Sequence, residues 1–297
     1  MVEKKTIGHR FTNGLIVGLL TLVAATCLYP ILYNLAVSLS SKAAAEAGMV
    51  VLWPVDFTFN AYLEVMDDKR FWNSFMISVE RVFLALLIKI PVLTMAAYAL
   101  GKTKNEFAAR NKIMWLCMFC MLFGGGQIPW YMVMIKYGMN NSVLGLALCG
   151  GLPIYDMILM LNFFQGIPKE LEEAAMVDGA GPWCILLRIV VPLSKPIFAT
   201  IALFTIVGHW NEFFNGLVLS TNQDSYPLQT YIKQMVIKLD SDAMANMTTE
   251  ELQSLALMSN KTLNAAKLFI SMIPVLCIYP FLQKYFVTGM TLGGVKE

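Results

Sequence analysis

Residues 170–182 read Glu-Leu-Glu-Glu-Ala-Ala-Met-Val-Asp-Gly-Ala-Gly-Pro, and an apolar run then leads to Pro192-Leu-Ser-Lys-Pro196. The stretch lies between two apolar segments, 142–164 and 197–219, each long enough to cross a bilayer. It therefore reads as a loop at a membrane surface, yet it carries helix chemistry of its own. Pro168 stands where a first-turn proline is tolerated, and Glu170, Glu172 and Glu173 follow where the positive end of a helix favours acids. Gly179 and Gly181 then stop the helix, and Pro182 can begin another. The small Ala174 and Ala175 let such a helix lie closely in a partner's groove.

Composition supports a membrane setting. Of 297 residues, 57% are hydrophobic and 14% charged, against about 25% charged in soluble domains. The expectation is an all-α, polytopic helical bundle forming a single permease-like domain, with spans near 14–39, 71–100, 113–135, 142–164, 197–219 and 265–287. Lys4, Lys5 and Arg10 precede the first apolar run, Gly14 to Leu39. That run exceeds the roughly 7–15 apolar residues of a signal peptide, so an uncleaved first helix is preferred. The small residues Ala43, Ala44, Ala45 and Ala47 keep a cleaved leader as the competing reading. Gly124, Gly125, Gly126 and Pro129 interrupt the third span and permit a bend or an unwound turn. Six spans put both termini and the loop 166–196 on one side. The segments on that side hold 12 Lys and Arg, against 7 in the opposite segments 39–70, 136–141 and 220–264. By the positive-inside rule the loop 166–196 is cytoplasmic, and loops 40–70 and 220–264 are external.

Several chemistries are excluded. The net charge of +2 gives no reason to expect nucleic acid. Gly101-Lys102-Thr103 looks like half a phosphate-binding loop, but Ala96 stands where a glycine is needed and no strand precedes it. Cys117 and Cys120 are spaced as in redox motifs, yet Trp115, Leu116, Met118 and Phe119 surround them, and no second pair completes a zinc site. The six cysteines imply no structural disulfide. The two histidines, His9 and His209, have no metal-ligand spacing. No catalytic, cofactor-binding or metal-binding residue is expected, and a membrane-embedded enzyme is disfavoured. A channel or secondary transporter working without ATP is the competing class, because intramembrane charges and a glycine break suit it.

Ionisable residues within spans cost about 2.5–3.5 kcal/mol at the bilayer centre on insertion scales and should face the bundle interior. Here they are Glu80, Arg81, Lys89, Asp156, Glu212 and Lys267. Lys267, near a span end, suits snorkelling or pairing. Trp210 offers a stacking face, and Asn211 and Asn215 offer amides, a combination that suits a sugar, while a structural packing role suits the Trp210 ring equally well. The candidates for a substrate pathway are Arg81, Lys89, Asp156, Trp210, Asn211, Glu212 and Asn215.

A family resemblance gives these features one meaning. Glu173-Ala174-Ala175, Gly179, Ile189 and Pro192 are spaced like the EAA signature of membrane subunits of bacterial ABC importers, with Val191 where leucine is usual. The string 167–180, together with Phe123–Pro129, Asn162–Phe164, Trp210–Phe213 and Gly289–Thr291, resembles MalG-like carbohydrate permeases, in particular a branch associated with complex polysaccharide fragments. The resemblance implies a type I importer permease in the bacterial cytoplasmic membrane. It implies a second, homologous permease subunit, two cytoplasmic ATPases that bind ATP and Mg, and an extracytoplasmic binding protein. It makes the EAA helix the coupling helix, with Glu172, Glu173, Ala174, Ala175, Asp178 and Gly179 at the ATPase contact. The tail is expected to touch the ATPases, and loop 220–264 suits contact with the binding protein. An acidic oligosaccharide is favoured over a neutral, maltodextrin-like one, since Arg81 and Lys89 offer positive charge, although the three acids within the spans balance the three bases.

Overall fold

The computed structural model describes residues 7–237 and 261–294, and all regular structure among them is helical. In chain order the helices are α1 (Ile7–Ser38), α2 (Lys42–Glu46), α3 (Asn60–Asp67), α4 (Lys69–Gly101), α5 (Arg110–Leu122), α6 (Gln127–Lys136) and α7 (Val143–Leu148). There follow α8 (Ile154–Gln165), α9 (Lys169–Val177), α10 (Pro182–Leu193, including a π-type stretch), α11 (Lys195–Asn211), α12 (Phe214–Leu219), α13 (Leu228–Ile237) and α14 (Lys261–Gly294).

Among the described residues, three helical stretches are long and apolar enough to cross a membrane unaided: Thr12–Ser38, Lys69–Gly101 and Lys261–Ile278. The pair α5 and α6 bends by 115°, and the pair α10 and α11 by 79°. The expected third span is therefore bent where Gly124–Gly126 leave the helix, with Gly126 at φ +83°. The expected fourth span, 142–164, is not one helix. It is cut at 149–153, where two glycines and Pro153 intervene, into pieces of 6 and 12 residues. At 1.5 Å per residue the longer piece covers roughly 18 Å, short of a hydrocarbon core of about 30 Å. The expected fifth span, 197–219, breaks at Glu212, whose backbone is extended. Residues 238–260 of the expected loop 220–264, and the last residues of the tail, lie outside the described residues.

The chain divides into two compact units, Met1–Phe71 with Gln234–Ile273, and Trp72–Lys233 with Pro274–Glu297. In the first, Ala36, Val37, Ala45, Val50 and Ala265 form the core. Small residues dominate it, so backbones approach closely and polar groups meet. Asn34 donates to the Ala265 carbonyl at 2.9 Å, and the Ser38 and Tyr62 hydroxyls lie 2.8 Å apart. Asp68 accepts from the backbone N–H groups of Arg70 and Phe71 and so caps α4. Its other oxygen binds the buried Lys267 ammonium at 2.6 Å. Lys267 is thus paired within its own unit rather than facing a pathway. The apolar window of α1 buries none of its residues within the chain, so lipid or another subunit must cover it.

The second unit holds the main core. Leu93, Ala97 and Leu100 of α4 meet Met157, Met160, Leu161 and Phe164 of α8, both sets at helical spacing, and Ile185, Leu186, Val190, Ile197 and Ile201 complete it. Gly145 of α7 passes so close to the Met139 carbonyl that a Cβ would stand 2.0 Å from its oxygen. That approach leaves room for glycine alone at this position.

Candidate functional site

Two places in the second unit gather the residues singled out by sequence. The first is the loop 166–181. Pro168 precedes α9, and α9 ends in a Schellman cap: Gly179 N–H donates to the Met176 carbonyl and Ala180 N–H to the Ala175 carbonyl. Gly179 sits at φ +82°, the left-handed conformation this cap demands and that a Cβ disfavours. Gly181 and Pro182 then start α10 with proline in its first turn. The two ends of α9 are therefore set by local chemistry.

The helix has two faces. Glu172 and Ala175, three apart, turn toward the unit's own body. Glu172 forms an ion pair with Lys102, and Ala175 packs against the main core. The Lys102 ammonium lies over the Tyr98 ring, 4.5 Å from its centroid. Burial works against this ammonium, but the Glu172 carboxylate and Tyr98 outweigh it and raise its pKa above 10.5. Beside it, the Thr103 hydroxyl and backbone N–H both donate to the Glu106 carboxylate and hold its pKa below the ordinary value. Glu170, Glu173, Ala174 and Val177, at helical spacing, are exposed, Val177 to 88%. Asp178 and Gly179 are exposed beyond them. Of six residues expected at a partner contact, four stand on the surface and two, Glu172 and Ala175, fasten the helix to its own chain. A 580 Å³ cavity opens beside α9, walled chiefly by Met95, Tyr98, Met176, Trp183 and Leu186.

The second place is a cavity of 220 Å³ where α4, α8 and α11 meet the helix breaks. Five of the seven expected pathway residues line it: Arg81, Lys89, Asp156, Glu212 and Asn215. Trp210 and Asn211 do not. Trp210 is 4% exposed and meets Phe75 edge to face at 5.5 Å, so its ring takes part in the packing. Glu80 differs too. It was expected to face the interior but is exposed, on a stripe of α4 shared with Met76, Phe83 and Leu87.

Arg81 is 1% exposed and its donors are committed. Its Nε donates to the Leu146 carbonyl and one terminal nitrogen to the Glu212 carbonyl, each at 3.1 Å. The other terminal nitrogen reaches Glu212 Oε2 at 2.7 Å and the Cys149 sulfur at 3.6 Å. The second Glu212 oxygen accepts the Asn215 N–H at 2.6 Å, capping α12. Broken helices leave carbonyls and N–H groups unpaired, and in an apolar setting protein groups must satisfy them. Arg81 and Glu212 do this for the ends of α7, α11 and α12. They are structural, and their presence in the cavity wall follows from that task.

Lys89 is different. Its ammonium makes one hydrogen bond among the described residues, to His209 Nε2 at 2.8 Å. His209 Nδ1 and Thr205 Oγ, one turn apart on α11, are buried without a partner. Sequence reading passed over Thr205 and gave His209 no role, although their spacing of four on an apolar helix places them on one face.

Residues 79–291 match the family of binding-protein-dependent transport system inner membrane components. The chain belongs to that family. The permease is 34% identical over 274 residues to protein LplC of Bacillus subtilis, covering 92% of this chain and 91% of that one. It is 32% identical over 288 residues to the polygalacturonan/rhamnogalacturonan transport system permease protein YtcP of the same organism, covering 97% and 99%. The fold matches a crystal structure of a bacterial ABC transporter involved in import of the acidic polysaccharide alginate, with a TM-score of 0.85, 33% identity, and 95% and 98% of the two chains covered. The permease is thus a membrane component of a binding-protein-dependent ABC importer whose relatives, by name, handle sugars. No group of three metal-ligating side chains occurs among its described residues.

Proposed function

We propose that the permease moves an acidic oligosaccharide from an extracytoplasmic binding protein into the cytoplasm by alternating access, driven through α9 by a pair of cytoplasmic ATPases. The observation that carries the coupling reading is the division of α9 into a fastened face and a free face. A helix tied down by Glu172 and Ala175 and capped at Gly179 moves as one piece with α4 and α8, while Glu170, Glu173, Ala174 and Val177 remain available to a partner. Motion imposed on the free face is then delivered to the core helices. ATP and Mg are held by the partner subunits, and this chain contributes contact and no catalysis.

A second membrane subunit fits the same reading. Glu80, exposed in the middle of the apolar stripe Met76, Phe83 and Leu87, is costly against lipid by about 2.5–3.5 kcal/mol and is relieved by a donor on a facing helix. The names of YtcP and of the alginate importer support an acidic substrate, as does the ammonium of Lys89 on the cavity. The location that follows is the bacterial cytoplasmic membrane.

The test is ATP hydrolysis by the reconstituted importer in the presence of its binding protein and a panel of acidic and neutral oligosaccharides. Stimulation by uronate oligomers, abolished by Glu173→Lys in an assembled complex, is the expected result. Stimulation by neutral oligomers alone overturns the substrate class, and full stimulation of Glu173→Lys overturns the coupling role.

A further inference from the structure

Within the 220 Å³ cavity, hydrogen-bond donors outnumber their acceptors on one side. An ammonium has three N–H groups and no lone pair. Lys89 spends one on His209 Nε2, and no acceptor for the other two occurs among the described residues. Because Lys89 can only donate, Nε2 of the neutral imidazole is the acceptor, and the ring proton lies on Nδ1. That Nδ1–H has no partner, and neither has the Thr205 hydroxyl one turn away. Lys89, Thr205 and His209 are each at most 7% exposed. The nearby guanidinium of Arg81 is already matched by Glu212 and two carbonyls. Asp156 is the acceptor that lines the same cavity, and it balances the Lys89 charge without supplying partners for Thr205 and His209.

Unpaired donors buried in an apolar setting are costly, each by about 1–3 kcal/mol. A ligand that brings acceptor oxygens removes that cost. Each hydroxyl of a neutral sugar brings a donor that needs an acceptor of its own, whereas a carboxylate brings acceptors only. The cavity volume suits one sugar ring, and Gly150, which carries no side chain, lies in the wall beside Lys89.

We propose that Lys89, with Thr205 and His209 on the adjoining face of α11, is a carboxylate subsite that takes one uronate ring of the substrate during transport. This rests on the permease carrying an acidic oligosaccharide, and the alternating opening of the helices is what brings the ring to the buried donors.

The test uses the full importer complex without its binding protein, in nanodiscs, and measures binding of tetragalacturonate and of its carboxyl-reduced tetramer. The wild type is expected to bind the acidic form about tenfold or more tightly. Thr205→Val, which keeps the volume, should reduce that preference, and Lys89→Met combined with Asp156→Asn, which leaves no lone buried charge, should abolish it. Lys89→Arg should retain a preference for the acid. If the wild type prefers tetragalacturonate and both Thr205→Val and the double variant keep that preference unchanged, the subsite is wrong while the acidic-substrate reading stands. If the wild type binds both tetramers equally, or neither, the subsite is wrong whatever the variants do. Stimulation of ATP hydrolysis by neutral oligomers alone, measured separately, removes the acidic-substrate reading itself.

Discussion

The guanidinium of Arg81 binds the Glu212 carboxylate at 2.7 Å and the Glu212 carbonyl at 3.1 Å, so one buried cation satisfies both ends of the residue where α11 breaks. A third bond, to the Leu146 carbonyl, ties in the end of α7. The pair is a device for having irregular backbone among apolar helices. Removing one partner leaves a buried charge alone, at a cost of roughly 3–5 kcal/mol. Arg81→Met and Glu212→Gln should each lower the yield and detergent-phase Tm of the complex. The reversed pair, Arg81→Glu with Glu212→Arg, should not restore them, because two backbone carbonyls would still lack their donor. Full recovery by the reversed pair would reduce the interaction to a simple ion pair.

Gly179 fixes where α9 ends. Its φ of +82° costs an L-residue about 1–2 kcal/mol. No side-chain or backbone atom of another residue crowds the position, so the penalty is conformational. Gly179→Ala should loosen the cap and reduce substrate-stimulated ATP hydrolysis, whereas Gly179→Asn, tolerated in this conformation, should reduce it less. Equal effects would show that the cap is not what matters there.

The ion pair of Lys102 with Glu172 fastens α9 to the end of α4. The raised Lys102 pKa means that its contribution is fully present below pH 10.5 and is lost only as pH rises past the folded value. Ordinary pH changes therefore leave it intact, and substitution is the useful probe. Lys102→Met should speed amide hydrogen exchange in residues 169–179 and lower coupling efficiency, measured as substrate molecules imported per ATP. Unchanged exchange would place the fastening elsewhere, on Ala175 alone.

Glu80 gives a test of the membrane partner. Glu80→Lys should sharply reduce co-purification of the second membrane subunit, and Glu80→Gln, which keeps a hydrogen-bonding group, should reduce it less. Retention of the partner by Glu80→Lys would mean that water, rather than a facing helix, meets this residue.

Sequence reading found the helical membrane class, the bend at Gly124–Gly126 and the glycine stop of α9, because proline, glycine and acidic residues act locally; it set Pro168 in the first turn of α9, and the structure has it just before that turn. It missed the division of α7 from α8, since 142–164 is largely apolar, and Gly150, Gly151 and Pro153 do not by themselves say whether a membrane helix breaks. It offered Trp210 for stacking on a sugar or for packing, which use the same ring, and the contact with Phe75, 135 positions away, lies beyond what local sequence can show. It grouped Arg81 with Lys89 by charge. Only the fold shows that Arg81 is enclosed by carbonyls and Lys89 is not. The unpaired donors of Thr205 and His209 had a faint signal, two polar residues four apart on an apolar helix.

The most direct measurement is crosslinking from α9 in a background whose six native cysteines are replaced. Single cysteines at Ala174, Ala175 and Val177 would be reacted with a short bifunctional reagent in the assembled importer. The division of faces predicts crosslinks to an ATPase subunit from positions 174 and 177 and none from position 175. No crosslink from 174 or 177, or an equal one from 175, would contradict α9 as the coupling helix with an outward working face.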